Sequence, residues 1–329
     1  MNPNPLISLV APFFNESAVV DIYYQRVTAV LEAIPDTRFE LVCVNDGSRD
    51  NTLELLQCLA ERDARVRVVD LSRNFGKEAA LTAGLDHASG DIVIPIDADL
   101  QDPPELIPSM LAHWRQGYEV VLARRSDRSS DTFLKRATAA LFYRLHNRIS
   151  DIDVPEDVGD FRLMDRAVVE ALQRLPERRR FMKGLFAWVG FRTITVDYAR
   201  RERVAGTTKF SGWKLWNFAL EGITSFSTAP LRVWTYFGFV VALAGFSYAL
   251  FIIFRTIVLG IDVPGYASLL TAVLLLGGIQ LAGIGMIGEY IGRIYMETKQ
   301  RPVYLVRRVY GAAPALSRPV RPALAEPAQ

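Results

Sequence analysis

The stretch "IPIDADLQDPPE", residues 94–105, starts apolar and then carries four carboxylates: Asp97, Asp99, Asp102 and Glu105. Ionised carboxylates are costly to leave unpaired at the end of a buried strand. Residues i and i+2 of a strand face the same way, so Asp97 and Asp99 are expected to share one site. Two converging carboxylates repel each other unless a cation offsets them. An all-oxygen set of this kind suits Mg2+ or Mn2+, which retain waters and take further ligands from a phosphate. Asp102 precedes Pro103 and Pro104 and reads as a helix N-cap with proline in the first turn, with Glu105 inside that turn.

Two further polar clusters follow apolar runs: "FFNES" at 13–17 and "NDGSRDNT" at 45–52. Asp46 has two readings, an acceptor for a base edge or a turn-forming Asp before Gly. Taken together, the acidic strand ends describe a site for a nucleotide diphosphate and its metal.

The elements that must hold these residues are legible. Apolar runs "LISLVAPF", "FELVCVND", "VRVVDLS", "DIVIPID" and "EVVLA" alternate with segments of helical length such as 17–33 and 50–62. Continuous apolar strands separated by helices predict a mainly parallel sheet covered on both faces. Ligands bind such sheets beyond the C-terminal strand ends. Asn15, Glu16, Asp46, Asn74, Asp97 and Asp99 all fall there. No GxGxxG follows the first strand and no GxxxxGK[ST] occurs, so dinucleotide-binding and P-loop chemistry lose their main support.

The chain has 329 residues, half of them hydrophobic, and a net charge of +2. That charge supplies no global basic field for nucleic acid. Cys43 and Cys58 read as two buried, reduced thiols, and His87, His113 and His146 lack metal spacing. The stretch "MNPNPLISLVAPFF" has no basic n-region, so no signal peptide is expected.

The hydrophobic excess is local. Val233–Phe254 has no charge for 22 residues and Val263–Gly288 none for 26. Each exceeds the roughly 20 residues that span a bilayer core. Two transmembrane helices, about 233–258 and 264–288, are expected within residues 232–292. Small residues in "GGIQLAGIGMIG" allow close contact within the hairpin or between protomers. Before them, Leu215, Trp216, Ala219, Leu220, Ile223 and Phe226 share one helical face, predicting an interfacial helix within 211–231; a core-facing helix is the alternative. Both flanks are basic, so the positive-inside rule puts residues 1–210 and the tail 293–329 in the cytosol. The end, "APALSRPVRPALAEPAQ", is expected to be disordered.

The layout "VAPFFNE", "VNDGSRDNT", "RNFGKEAAL" and "DADLQDPPE" resembles family 2 glycosyltransferases with the GT-A fold. The continuation "VLARRSDR", "VGDFRLMDR", "RFMKGLFAWVG", "AGTTKFSGWKLWNFALEGITSFSTAPLR" and "GEYIGRIYMETKQRPVY" is similar to bacterial polyprenyl-phosphate sugar transferases, nearest to the bactoprenol glucosyltransferases of O-antigen modification. The resemblance runs from about residue 5 to about residue 308, and the QxxRW motif of processive synthases is absent.

The resemblance implies an α/β GT-A domain at 1–210 that transfers a hexosyl group, with inversion, from a UDP-sugar to undecaprenyl phosphate. UDP-glucose is the expected donor. It implies a bacterial inner-membrane, multi-pass protein acting in lipopolysaccharide or cell-envelope glycan modification, and a homo-oligomer, with a tetramer as one option. Asp97, Asp99 and Gln101 match metal-ligand positions; Pro12, Phe14, Glu16, Asp46 and Asp97 match the nucleotide pocket. Asp160 in "GDFRL" matches the residue proposed as base, and a positioning role stays open for it. Arg125 and Arg128 match acceptor-phosphate arginines. Arg201, Arg203 and Lys209 are placed to clamp phosphate, with solvated charge or lipid headgroup binding as alternatives. Another sugar (mannose, N-acetylhexosamine or an aminoarabinose derivative) remains open. So does a non-catalytic nucleotide-sugar-binding scaffold. A processive synthase is weaker, for want of QxxRW and spans. A flippase role is disfavoured by the lack of charge within the spans.

Overall fold

A computed structural model describes residues 2–125, 158–178, 180–198, 229–259 and 265–311. The expected sites Arg128, Arg201, Arg203 and Lys209 lie outside these residues. So do the expected interfacial helix with Trp213 and Trp216, and the Pro/Ala-rich end.

The chain divides into two compact units. The first is built on an eight-stranded sheet. Its strands are β1 (Leu6–Phe13), β2 (Arg38–Asn45), β3 (Val66–Leu71), β4 (Ile92–Pro95), β5 (Val120–Arg125), β6 (Val158–Asp165), β7 (Thr193–Tyr198) and β8 (Val306–Tyr310). The helices beside it are α1 (Val20–Glu32), α2 (Thr52–Arg62), α3 (Lys77–His87), α4 (Ile107–Arg115), α5 (Arg166–Gln173) and α6 (Met182–Trp188). The second unit holds α7 (Ala229–Leu259) and α8 (Tyr266–Thr298).

The strand order is β7-β5-β6-β4-β1-β2-β3-β8. β1 pairs in parallel with both β2 and β4, and β2 in parallel with β3. The chain winds outward from β1 in one direction through β3, then restarts on the other side at β4. That reversal opens a crevice beyond the C-terminal ends of β1 and β4, the usual ligand position in such sheets. β6 is antiparallel to β4 and β5, and β8 antiparallel to β3, so the sheet is mixed around a parallel centre. β1 and β2 are buried nearly throughout, as their apolar runs require.

Helix α1 buries Val20, Tyr23, Val27 and Leu31, spaced three to four residues apart, against this sheet. Helix α3 buries everything from Ala79 to Leu85. It sits very close to the strands: a Cβ on Gly84 would collide with the Val10 and Val44 side chains. Small residues therefore let the helix axis approach the sheet, and its first residue lands at the crevice rim.

Three expectations change here. Cys43 is buried, but Cys58 is exposed, since α2 turns Leu56 and Leu59 inward and Cys58 away. Helix α8 runs past the expected end at Gly288 to Thr298. The segment beyond it is not all tail. Ser72 donates its N–H to the Leu305 carbonyl, residues 306–310 pair with β3, and the Tyr304 hydroxyl donates to Asp86 at 2.7 Å. β3 would otherwise present an unpaired edge, and β8 covers it.

Helices α7 and α8 are 31 and 33 residues long and largely apolar, long enough to cross a membrane. Their large apolar side chains, Phe239, Phe246 and Leu281 among them, are exposed. Gly283 lies against the Trp234 indole, so one small residue of α8 serves contact within the hairpin.

At the sheet end opposite the crevice, Glu40 and Arg67 are both buried, 3.4 Å apart. Glu40 also accepts from the Ser8 hydroxyl at 2.5 Å and the Ser89 N–H at 2.6 Å. Replacing Glu40 with Ala removes the acceptor of the Ser8 hydroxyl and of the Ser89 N–H and hydroxyl, and leaves the buried Arg67 without its carboxylate, though the His87 carbonyl still accepts from it. Glu40→Ala is expected to cost about 3–5 kcal/mol of stability, and Glu40→Gln less, read from denaturation midpoints. An unchanged midpoint for Glu40→Ala would show that the network is not structural.

Candidate active site

The crevice rim is assembled from strand ends. β1 ends in Phe14, which is exposed, and Asn15, in the left-handed region at φ 54°. The loop after β1 is stitched to the loop after β2. Asn15 N–H donates to the Ser48 hydroxyl at 3.0 Å, Arg49 N–H to Asn15 at 2.8 Å, Glu16 N–H to the Thr52 hydroxyl at 3.0 Å and Ser17 N–H to Asp50 at 3.2 Å. Glu16 is thereby tied to the loop that follows Asp46, while Asp46 itself lies beneath the rim.

Asp46 is buried and accepts two backbone N–H groups, Phe75 at 2.7 Å and Gly76 at 3.0 Å. Burial pushes its carboxyl up, and those two donors oppose the shift. Neither sequence reading covers this: Asp46 holds the loop before α3. Next to it, Gly47 (φ 63°) packs so tightly that a Cβ would overlap Arg73 and Asn74 backbone. Only glycine combines that φ with that approach.

Asp97 and Asp99 lie just past β4 rather than in it. The strand alternation therefore does not orient them; a tight turn does, with Leu100 at φ 53°. The outcome is similar, because Ala98 is buried between two partly exposed aspartates. Gln101 donates its backbone N–H to Asp99 at 3.2 Å.

Asp102 is not an N-cap. Pro103 occupies that place, without a side-chain bond. Asp102 is buried, accepts from the Tyr198 hydroxyl and lies 3.9 Å from Arg125. Glu105 instead pairs with Arg26, 2.9 Å away. The cap reading fails because β7 brings Tyr198 over Asp102, a contact between residues 96 apart in sequence. Arg125 reaches the rim from β5, next to Gly159, with its Nε donating to the Tyr198 hydroxyl at 3.3 Å.

Asp160 arrives on β6. The antiparallel register pairs Ile92 with Asp165 and Val93 with Met164. Continued by the same step, it carries Asp160 to Asp97. The Lys77 ammonium bridges the two, 2.8 Å from Asp97 and 2.6 Å from Asp160. Burial opposes ionisation of Asp160, yet Lys77, Lys183 and Arg162 outweigh it and hold the carboxyl below its ordinary range. Burial pushes the Asp97 carboxyl up, with Lys77 opposing and Asp160 adding. Arg162 is itself buried, stacked 3.9 Å over the Phe186 ring and donating to the Gly159 carbonyl at 2.8 Å. The second Asp160 oxygen, Oδ1, is buried with no hydrogen-bond partner.

Sequence reasoning missed Lys77, although "RNFGKEAAL" contains it. A signal existed. Lys77 is the first residue of a helix, where the macrodipole disfavours a cation. Tyr198 carried no comparable signal.

Among the described residues, no group of three Asp, Glu, His or Cys side chains is arranged to hold a metal by itself. Asp97 and Asp99 still fit a hard cation that keeps waters and phosphate ligands, and the Lys77 ammonium shows that the spot between Asp97 and Asp160 accepts positive charge.

A parallel-centred sheet with acidic strand ends at its switch point, and an antiparallel strand returning Asp160 to them, form a GT-A type layout. The family profile described as Glycosyl transferase family 2 matches residues 8–173, and the profile described as GtrB C-terminal hairpin matches 229–294. The chain belongs to glycosyl transferase family 2. It is 56% identical over 303 residues to a prophage bactoprenol glucosyl transferase homolog of Escherichia coli (strain K12), covering 92% of this chain and 99% of that protein. It is 57% identical over 301 residues to the bactoprenol glucosyl transferase of Shigella phage SfV, covering 92% and 98%. Among solved structures, a glucosyl-3-phosphoglycerate synthase from Mycobacterium tuberculosis with Mn2+, uridine diphosphate and phosphoglyceric acid matches more loosely: 21% identity, 67% of this chain, 76% of that one, TM-score 0.48.

Glu78, beside Lys77, accepts the Met182 N–H at 3.2 Å. Burial and the Asp160 charge push its carboxyl up to about 7 from 4.5. The folded protein therefore holds this proton more tightly than the unfolded chain. The stability it contributes is full below the unfolded value and is lost as pH rises toward about 7. Glu78→Gln keeps an acceptor for Met182 and should gain stability over the parent above pH 7, with the two converging near pH 4. Parallel stability profiles across that range would refute the assignment.

Proposed function

We propose that this glycosyltransferase moves a glucosyl group from UDP-glucose to undecaprenyl phosphate, by direct displacement with inversion, at the cytosolic membrane face. The observation that carries the reading is the extent of the likeness. Relatives named bactoprenol glucosyl transferases match through both the catalytic sheet and the apolar hairpin. O-antigen or related envelope glycan modification is the process this product serves.

In this reading Pro12, Phe14, Glu16 and Asp46 line the nucleotide surface. Asp46 contributes by fixing the Phe75–Gly76 backbone. Asp97 and Asp99, with Gln101 beside them, would hold Mg2+ or Mn2+. When bound, that ion would offset the charge developing on the leaving diphosphate.

The acceptor phosphate has a second ionisation near pH 6 and is largely a dianionic nucleophile at neutral pH. It needs little help from a base. Burial opposes the Asp160 charge, and Lys77, Lys183 and Arg162 favour it. The unpartnered Oδ1 of Asp160 suits it to accept a hydrogen bond from a sugar hydroxyl and so to orient the donor. In this reading Arg125, at the rim beside Gly159, would receive the acceptor phosphate. The polyprenyl chain keeps that phosphate at the bilayer surface, and a membrane-anchored enzyme meets it at high local concentration.

Purified full-length protein in detergent, given polyprenyl phosphate, Mn2+ or Mg2+ and a panel of labelled nucleotide sugars, should move label into the lipid phase from UDP-glucose. Transfer from a different sugar alone would overturn the glucosyl assignment. Nucleotide binding with no transfer would favour a scaffold. Asp160→Asn should lower turnover at pH 7.5 without shifting the pH profile if Asp160 orients the sugar; loss of an acidic limb from the profile would restore the base role. Arg125→Ala should raise the lipid-phosphate KM roughly tenfold and the UDP-sugar KM much less. Equal effects on both would remove Arg125 from the acceptor site.

A further inference from the structure

Lys77 stands where its charge is disfavoured by the helix it begins and favoured by the two carboxylates it touches. Four features set where its side chain starts. Gly76 takes φ 99°. Asp46 grips the Phe75 and Gly76 N–H groups. Gly47 packs on Arg73 and Asn74, and Gly84 seats α3 on β1 and β2. The root of the side chain is thus fixed, while the side chain is 48% exposed and ends on a flexible stem. A rigid root and a movable head suit a group that changes partners.

Resting on the nucleotide-sugar reading above, we infer that Lys77 is a positioning residue whose ammonium holds the cation place between Asp97 and Asp160 before the donor arrives, and moves to the donor's diphosphate when a divalent ion takes Asp97. The exchange follows from charge. Asp97 and Asp160 both lie within ion-pair distance of the Lys77 ammonium, and a cation there offsets the repulsion between two ionised carboxylates. A divalent ion on Asp97 repels an ammonium 2.8 Å from the same carboxylate. The diphosphate that enters with the ion is the nearest new anion within the reach of the stem. Once Lys77 leaves, Asp160 has both oxygens available to the sugar. Metal alone must evict Lys77 with no compensation, whereas metal with nucleotide gives it a new partner. The site therefore favours joint binding of ion and nucleotide over the ion alone.

The test measures Mn2+ and UDP binding to the full-length protein in detergent by calorimetry. Lys77→Met should bind Mn2+ without nucleotide roughly tenfold more tightly than the parent, because a charged hydrogen bond no longer has to be broken. The same variant should bind UDP in the presence of Mn2+ roughly tenfold more weakly. Lys77→Arg should recover UDP binding. Mn2+ should also raise the thermal midpoint of Lys77→Met more than that of the parent. Should Lys77→Met not fold, Lys77→Gln keeps a donor for the carboxylates without the charge and is expected to give the same opposite shifts. Losses in both affinities, or no change in either, with a parent that binds Mn2+ and UDP normally, would make Lys77 merely structural and leave the donor reading intact. A parent that binds neither Mn2+ nor Mg2+, even with UDP, would overturn both.

Discussion

Asp97 lies just past β4 and Asp160 on β6, far apart in sequence, and the fold brings them together at the rim of the crevice. Two carboxylates at that separation, partly withdrawn from water, repel strongly. The Lys77 ammonium between them, at 2.8 and 2.6 Å, is what makes the arrangement tenable. The surroundings divide the burden unequally. Asp160 also draws on Lys183 and Arg162 and is held ionised, while burial works against the charge on Asp97. The charge on Asp160 is thereby favoured by three cations, while that on Asp97 is opposed by burial and by Asp160 and favoured by Lys77.

The sheet around this contact can be understood as its support. The reversal of strand order at β1 and β4 opens the crevice, and the antiparallel entry of β6 brings Asp160 into it. Helix α3 reaches the rim because Gly84 lets it press against Val10 and Val44. Asp46 then ties the β2 end to the start of that helix through two backbone N–H groups. Asp46 and the Lys77 contact are linked through three consecutive residues, Phe75, Gly76 and Lys77, so a change in one reaches the other through the backbone of that loop.

The C-terminal segment shows how the membrane portion and the catalytic sheet share one chain. Residues that follow α8 return as β8 on the edge of β3 and add the Tyr304–Asp86 hydrogen bond. The catalytic sheet is completed only by residues that lie after both apolar helices. A truncation ahead of the hairpin would therefore remove a strand as well as an anchor and expose the β3 edge.

Local pattern alone determined a good deal. The apolar runs marked β1 to β5 and, with the intervening helical segments, a parallel-centred sheet. The uncharged stretches marked α7 and α8. The acidic strand ends placed Asp46, Asp97 and Asp99 on one rim, because strand direction and strand ends are properties of consecutive residues. What a residue does once it is there depends on partners distant in sequence. Asp102 looked like a cap beside two prolines, and became the buried partner of Tyr198 on β7. Asp46 was legible as a base-edge acceptor or a turn residue, but not as a clasp of the loop before α3, which is a contact it makes 29 residues along the chain. The post-span segment looked like tail, and part of it became a strand, because an exposed edge on β3 was there to receive it. Hydrogen bonds and ion pairs are short-ranged, so a sequence can indicate which groups will seek a partner, but only the packed chain decides which partner lies within reach.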